Sequence, residues 1–210
     1  MRFMAGLVLG VLAAGRAAAF EPGSLGDAYR DTGYVQGCTD GGELPGCTII
    51  AGGSQFVVPA DGPTPPEVMA KLRAAPKLSW IEFRGDLLNI FDSYGELALG
   101  AFDAAPEADP YNDLVTAAQG DWVSTDDPKA KVVVDGLIWR DVYDGEDVAQ
   151  SVISFGDTCA EGASGGRLLE LFEVGSAEPA SLCFSVVGID AGRMELVYLP
   201  RGNALVFERP

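Results

Sequence analysis

Residues 120–155 read GDWVSTDDPKAKVVVDGLIWRDVYDGEDVAQSVISF. Short apolar runs alternate here with turn chemistry. Lys131 to Val134 leads into Asp135-Gly136, a two-residue hairpin signal, and Leu137 to Tyr143 leads into Asp144-Gly145, whose glycine supplies positive φ. The same rhythm continues to the C-terminus, where Ala191-Gly192 and Pro200-Arg201-Gly202-Asn203 mark further reversals. Eight strands follow from it: Asp121 to Ser124, Lys131 to Val134, Leu137 to Tyr143, Val148 to Phe155, Leu168 to Val174, Leu182 to Ile189, Met194 to Leu199 and Ala204 to Glu208. No crossover helix separates them, so the expectation is an antiparallel meander forming a small barrel over 118–210. The loop from Gly156 to Arg167 is expected to be long and irregular.

The first half carries weaker signals. Phe20 to Gly53 is glycine-rich with little periodicity and reads as irregular, disulfide-stapled structure, followed by a short strand at Gln55 to Pro59. Thr64, Pro65, Pro66 and Glu67 read as a capping box opening one helix, with Val68, Met69 and Leu72 as its apolar stripe and Pro76 as its stop. Trp80, Phe83, Leu87, Ile90, Tyr94, Leu97 and Ala101 fall at steps of three and four, which suits a helix. Gly85, Gly95 and Gly100 oppose one, and Arg84-Gly85-Asp86 and Asp92-Ser93-Tyr94-Gly95 read as turns, so three strands are expected over 78–102. A short helical turn at Asp113 to Gln119 leads into the meander. The fold class is mainly β, α+β overall, with an N-terminal α+β region at 20–117.

Gly120-Asp121-Trp122 opens the meander, and from here the last ~90 residues resemble the lipocalin and calycin group of barrels. In that group the first strand carries G-x-W, and the last strand ends with a basic residue packed across the tryptophan. The resemblance implies those roles for Gly120, Trp122 and Arg209, with Arg201 the other basic candidate. Strands of five to seven residues give a sheet only ~20 Å tall, a size commonly filled by its own side chains. Trp139, Tyr143, Phe155, Phe172, Phe184, Tyr198 and Phe207 supply the bulk, which moves recognition to loops or the outer surface.

Met1 to Ala19 reads as a cleavable secretory signal, with Arg2, an apolar stretch from Phe3 to Ala14, and Ala17-Ala18-Ala19 before the cut. Roughly 12 apolar residues are too few to span a bilayer, so no stable membrane anchor is expected. All four cysteines, Cys38, Cys47, Cys159 and Cys183, follow the signal. An even count in an exported chain reads as two disulfides with three possible connectivities, of which proximity favours Cys38 with Cys47 and Cys159 with Cys183. The expected address is periplasmic or secreted.

The formal charge is -17, and about -19 once Arg2 and Arg16 leave with the signal. Nucleic acid and anionic lipid need a basic footprint, which is absent. A basic protein or a small ligand is the expected partner, for example a basic envelope-targeting enzyme such as a lysozyme, which opposite charge would steer onto the chain.

The chain has no histidine, so Ser-His-Asp and Cys-His catalysis and histidine-ligated zinc or haem are excluded. Gly162-Ala163-Ser164-Gly165-Gly166 matches the G-x-S-x-G elbow but lacks its base. No phosphate loop or dinucleotide fingerprint is present, and no cofactor is expected. Glu82 with Asp86, or Asp141 with Glu146, are the carboxylate pairs a histidine-free glycan hydrolase would use. Asp103, Glu107, Asp109 and Asp113, or Asp141, Asp144, Glu146 and Asp147, are candidate calcium groups without the order of a calcium loop. A non-enzymatic binding protein is the favoured expectation, the hydrolase its alternative.

Overall fold

The computed structural model describes residues 20–42, 44–92, 94–160, 162–174 and 181–210, so the signal read at 1–19 lies outside the described residues. Among the described residues, thirteen strands close into two barrels joined through one short helix.

The C-terminal barrel consists of β6 (Gly120–Ser124), β7 (Ala130–Asp135), β8 (Ile138–Tyr143), β9 (Glu146–Thr158), β10 (Ser164–Glu173), β11 (Ser181–Ile189), β12 (Arg193–Tyr198) and β13 (Asn203–Glu208). Each strand pairs antiparallel with the next, and β13 returns to β6 through Phe207 opposite Ser124. This is the expected eight-strand meander, closed into an up-and-down barrel that leaves no strand edge. β9 and β10 extend well into the expected Gly156 to Arg167 loop, because Ser164 pairs with Thr158 across a bulge. The remaining turn is tied to β11 by the Cys159–Cys183 disulfide.

The N-terminal half is more ordered than its composition suggests. β1 (Asp27–Thr39), β2 (Gly46–Ala51), β3 (Ser54–Pro59), β4 (Trp80–Ile90) and β5 (Gly95–Ala104) form a closed barrel in the order β1-β2-β3-β5-β4. All pairs are antiparallel except β3 with β5, which run parallel at Phe56–Gly95 and Val57–Glu96. A five-stranded Greek-key barrel of this kind has the OB-fold architecture. Phe20 to Gly53, expected to be irregular, therefore holds two strands. The alternation in β1 is hidden because Tyr34 and Val35 are both buried, on opposite sides of the strand, and a bulge follows Val35. Cys38 and Cys47 are direct cross-strand partners there and form the other disulfide.

Residues 78–102 hold two long strands rather than three, and the Phe91 N–H donates to Tyr94 O at 2.8 Å where the chain passes from one to the other. Arg84-Gly85-Asp86 is not a turn. It lies inside β4, where the pairing steps from Ala101 to Leu99 and leaves Gly100 as an extra residue. Such a bulge bends a strand round a small barrel without ending it. The helix-like series from Trp80 to Ala101 therefore runs across two strands and the reversal between them, and of its members Phe83 and Leu97 are the buried ones.

α1 (Pro66–Ala74) covers the N-terminal barrel with Met69 and Leu72 buried. The expected capping box is absent: Pro65 stands at the cap with no side-chain bond. Thr64 is instead buried and accepts the Leu99 N–H at 2.9 Å, fastening the helix start to β5. α2 (Asn112–Ala118), through which the expected 117/118 boundary runs, joins the core of the second barrel with Val115 and Ala118.

Asp86 anchors the chain ahead of β1. Its carboxylate is fully buried and accepts the N–H groups of Gly23 at 2.7 Å and Leu25 at 2.9 Å. Burial pushes its pKa up, but the backbone donors from Gly23 to Gly26 outweigh that and hold it below the ordinary 3.8. A carboxylate lowered by folding stabilises fully above its unfolded value, and that stabilisation is lost as pH falls through the folded one. Asp86→Asn is expected to lower Tm at neutral pH, and the gap to wild type is expected to close as pH drops below 3.8. Thermal melts across pH check this; a gap of constant size would assign the effect to packing instead of charge.

Candidate functional site

The two barrels meet where each presents a glycine to a side chain of the other. Gly53, between β2 and β3, has φ +80°, and a Cβ there would lie 2.1 Å from the Phe172 ring on β10. Gly136, between β7 and β8, has φ +66°, and its Cβ would lie 2.1 Å from Gln36 Oε1 on β1. The Gln36 amide fills that space productively: its Nε2 donates to Asp135 O at 2.7 Å and its Oε1 accepts from Leu137 N at 2.8 Å. Tyr34 and Ile50 of the first barrel share one buried cluster with Val115, Leu137 and Ile153 of the second.

Beside this seam opens a cleft of about 490 Å³, within the size range of small-molecule sites. Tyr29 on β1, Phe56 on β3 and Phe172 on β10 form its walls, and Phe91 and Tyr94 come from the β4–β5 turn. Tyr29 and Phe56 lie 4.9 Å apart between ring centroids, and Phe91 and Tyr94 are stacked at 4.7 Å. Ile90 is 77% exposed and Phe91 46% at the cleft edge. The charged side chains among its described lining residues are Asp92 and Glu173.

A second cleft of about 360 Å³ adjoins Gly53 from the other side and is lined by Tyr34, Trp80, Asp109 and Phe155, among others. Tyr34 packs against Trp80 with ring centroids 4.7 Å apart and planes tilted by 47°, and donates its hydroxyl to Asp109 Oδ2 at 2.5 Å. Tyr29 likewise donates to Asp31 Oδ2 at 2.8 Å. Burial first, then the bonded carboxylate, raises both phenols above their ordinary value. In the structure both hydroxyls are committed as hydrogen-bond donors to those carboxylates.

Gly120, Trp122 and Arg209 come together at the end of the second barrel beside α2. Trp122 is fully buried, and the Arg209 guanidinium lies 3.7 Å from its ring centroid. Arg209 also donates to Ala117 O at 3.2 Å and Asp121 O at 3.4 Å, while the Trp122 indole donates to Ala118 O at 2.7 Å. Gly120 has φ +98°, and a Cβ there would come 2.6 Å from Arg209 Nη1. Arg201, the other basic candidate, is exposed in the turn after β12. Trp122, Trp139, Phe184, Met194, Leu196 and Phe207 are buried in one cluster that occupies this barrel. Two of the aromatics expected there lie elsewhere: Tyr143 is 48% exposed, and Phe172 spans the seam onto Gly53.

The carboxylates named from sequence have separate employments. Glu82 pairs with Arg30, while Asp86 is enclosed with its oxygens committed to the backbone and so out of reach of a substrate. Asp141 accepts the Trp139 indole N–H at 3.0 Å, and burial raises its pKa against that bond; Glu146 is exposed on the next strand. Asp103 pairs with Lys71, Asp113 with Arg167, Asp144 with Lys129 and Asp147 with Arg140. Among the described residues no three acidic or cysteine side chains converge as a metal site. Ser164 is exposed at the start of β10.

The seam cleft escaped the sequence reading because its walls come from segments far apart in the chain. One local signal was present: Phe91 and Tyr94, just after Ile90 at the end of β4, put large rings between two strands, where polar residues are usual.

Arg209→Gln and Trp122→Phe, made singly and together, are expected to be non-additive by roughly 1 kcal/mol, the worth of a cation–π contact. Urea unfolding measures it, and strict additivity would show that the stacking contributes nothing. Compared with known proteins, the chain matches no family model, no curated protein and no solved structure.

Proposed function

We propose that the protein is a non-enzymatic extracytoplasmic binding protein that holds a small ligand with an apolar body in the cleft between its barrels. The observation that carries this is the aromatic-walled space of about 490 Å³, edged by Ile90 at 77% and Phe91 at 46% exposure. Large apolar side chains left in water at the mouth of a concave site gain free energy when a ligand covers them. The two disulfides suit an oxidising compartment outside the cytoplasm, in line with the signal read at 1–19. The closed barrels give the cleft rigid walls, which lowers the entropy cost of binding.

The likeness of the second barrel to lipocalins supports a carrier role by analogy of architecture alone. Its ligand would sit differently, since Trp122, Trp139 and Phe184 occupy the interior that a lipocalin-type carrier would use. The neighbouring tyrosines are locked as donors to Asp31 and Asp109, which favours binding over catalysis.

A neutral naphthylamine fluorophore titrated into the purified mature protein is expected to bind with a blue-shifted emission. Phe91→Ser, at an exposed position, is expected to weaken it roughly ten-fold, the worth of burying part of an aromatic side chain. Equal binding by the variant would remove the cleft as the site. Salt-sensitive association with a basic lysozyme, with no small-molecule binding at all, would replace this function with that of a protein-directed inhibitor.

A further inference from the structure

Resting on the binding role of the seam cleft, we propose that its ligand class is the cationic amphiphile, an apolar body bearing an ammonium or comparable positive group. Three observations converge. The walls are aromatic, from Tyr29, Phe56 and Phe172, with the stacked Phe91–Tyr94 pair at the β4–β5 turn. Aromatic faces attract a cation electrostatically, and clusters of them accept quaternary ammonium groups that make no hydrogen bonds.

The charged groups among the described lining residues are the carboxylates Asp92 and Glu173, with no lysine or arginine beside them. Neither belongs to an ion pair among the described residues, although nine such pairs occur elsewhere. The chain as a whole carries -17, so the field outside the cleft favours approach of a cation and opposes an anion. An apolar pocket for a neutral ligand needs none of this charge arrangement, and one for a fatty acid or alkyl sulfate would need its opposite.

In the bound state the apolar body lies between Phe56 and Phe172, and the cation rests at the mouth near Phe91, where the two carboxylates neutralise it. A positive group there keeps part of its hydration, so its desolvation cost stays small while the body is buried.

The test is calorimetric titration of the mature protein with three monomeric surfactants of equal chain length below their micelle concentrations: dodecyltrimethylammonium, dodecyl maltoside and dodecyl sulfate. The expected order is cation, neutral, anion, with the cation bound about ten-fold tighter than the maltoside. Asp92→Asn combined with Glu173→Gln is expected to erase that preference while maltoside binding persists. Both residues are exposed, so the variant should fold. Equal binding of cation and neutral by wild type overturns the inference and leaves the cleft as a neutral apolar site. A cation preference that survives the double substitution also overturns it, because attraction to the acidic surface at large would survive the loss of two carboxylates from 31. No binding of any of the three removes the binding role itself.

Discussion

The arrangement of this molecule depends on two vacancies the size of a side chain. Gly53 on one barrel and Gly136 on the other sit in left-handed backbone, and each admits a group from the opposite barrel, Phe172 in one direction and the Gln36 amide in the other. One contact is apolar and the other is a pair of hydrogen bonds, so the seam combines burial with orientation. Any other residue at either glycine meets both a backbone penalty of about 1–2 kcal/mol and a steric clash. The seam clefts exist because the barrels approach closely at these two points and diverge beside them.

Within each barrel the economy is different. Closure leaves no exposed ladder edge among the described strands, which protects a β protein from pairing with its neighbours. The first barrel achieves closure with five strands by bulging at Gly100 and Leu88 and by one short parallel contact between β3 and β5. The second adds each strand beside the last and needs no parallel contact, though it too bulges where β8 meets β9, β9 meets β10 and β11 meets β12. Polar groups buried along the way are satisfied: Thr64 takes the Leu99 N–H, Asp86 takes the turn at Gly23, and no buried side-chain polar atom among the described residues lacks a partner.

That difference decides what the sequence disclosed. Residues 120–208 were legible strand by strand, since hairpins such as the one at Gly136 write their register locally. The first barrel was not, because closure through β1–β4 and β3–β5 joins residues fifty and forty positions apart or nearly so and leaves no short-range mark; Tyr34 pairs with Trp80, and Phe56 with Gly95. The steps of three and four from Trp80 to Ala101 added a false lead, since that series runs across two strands and the reversal between them. Thr64 shows a matching limit on the helix side: a T-P-P-E sequence fits a capping box, yet the hydroxyl found a better partner in a strand. Trp122 and Arg209 were an exception among distant pairs: the G-x-W triplet had prompted their pairing, and they meet at 3.7 Å. The cleft lay beyond reach because no one segment contains it.

Each disulfide joins a cysteine to the next one in sequence, Cys38 to Cys47 and Cys159 to Cys183, and neither crosses the seam. Each cross-link therefore closes a short loop inside one barrel and restrains the unfolded chain of that barrel alone. The barrels are stapled separately, so opening the seam breaks no covalent tie, and the hold of one barrel on the other rests entirely on noncovalent contacts.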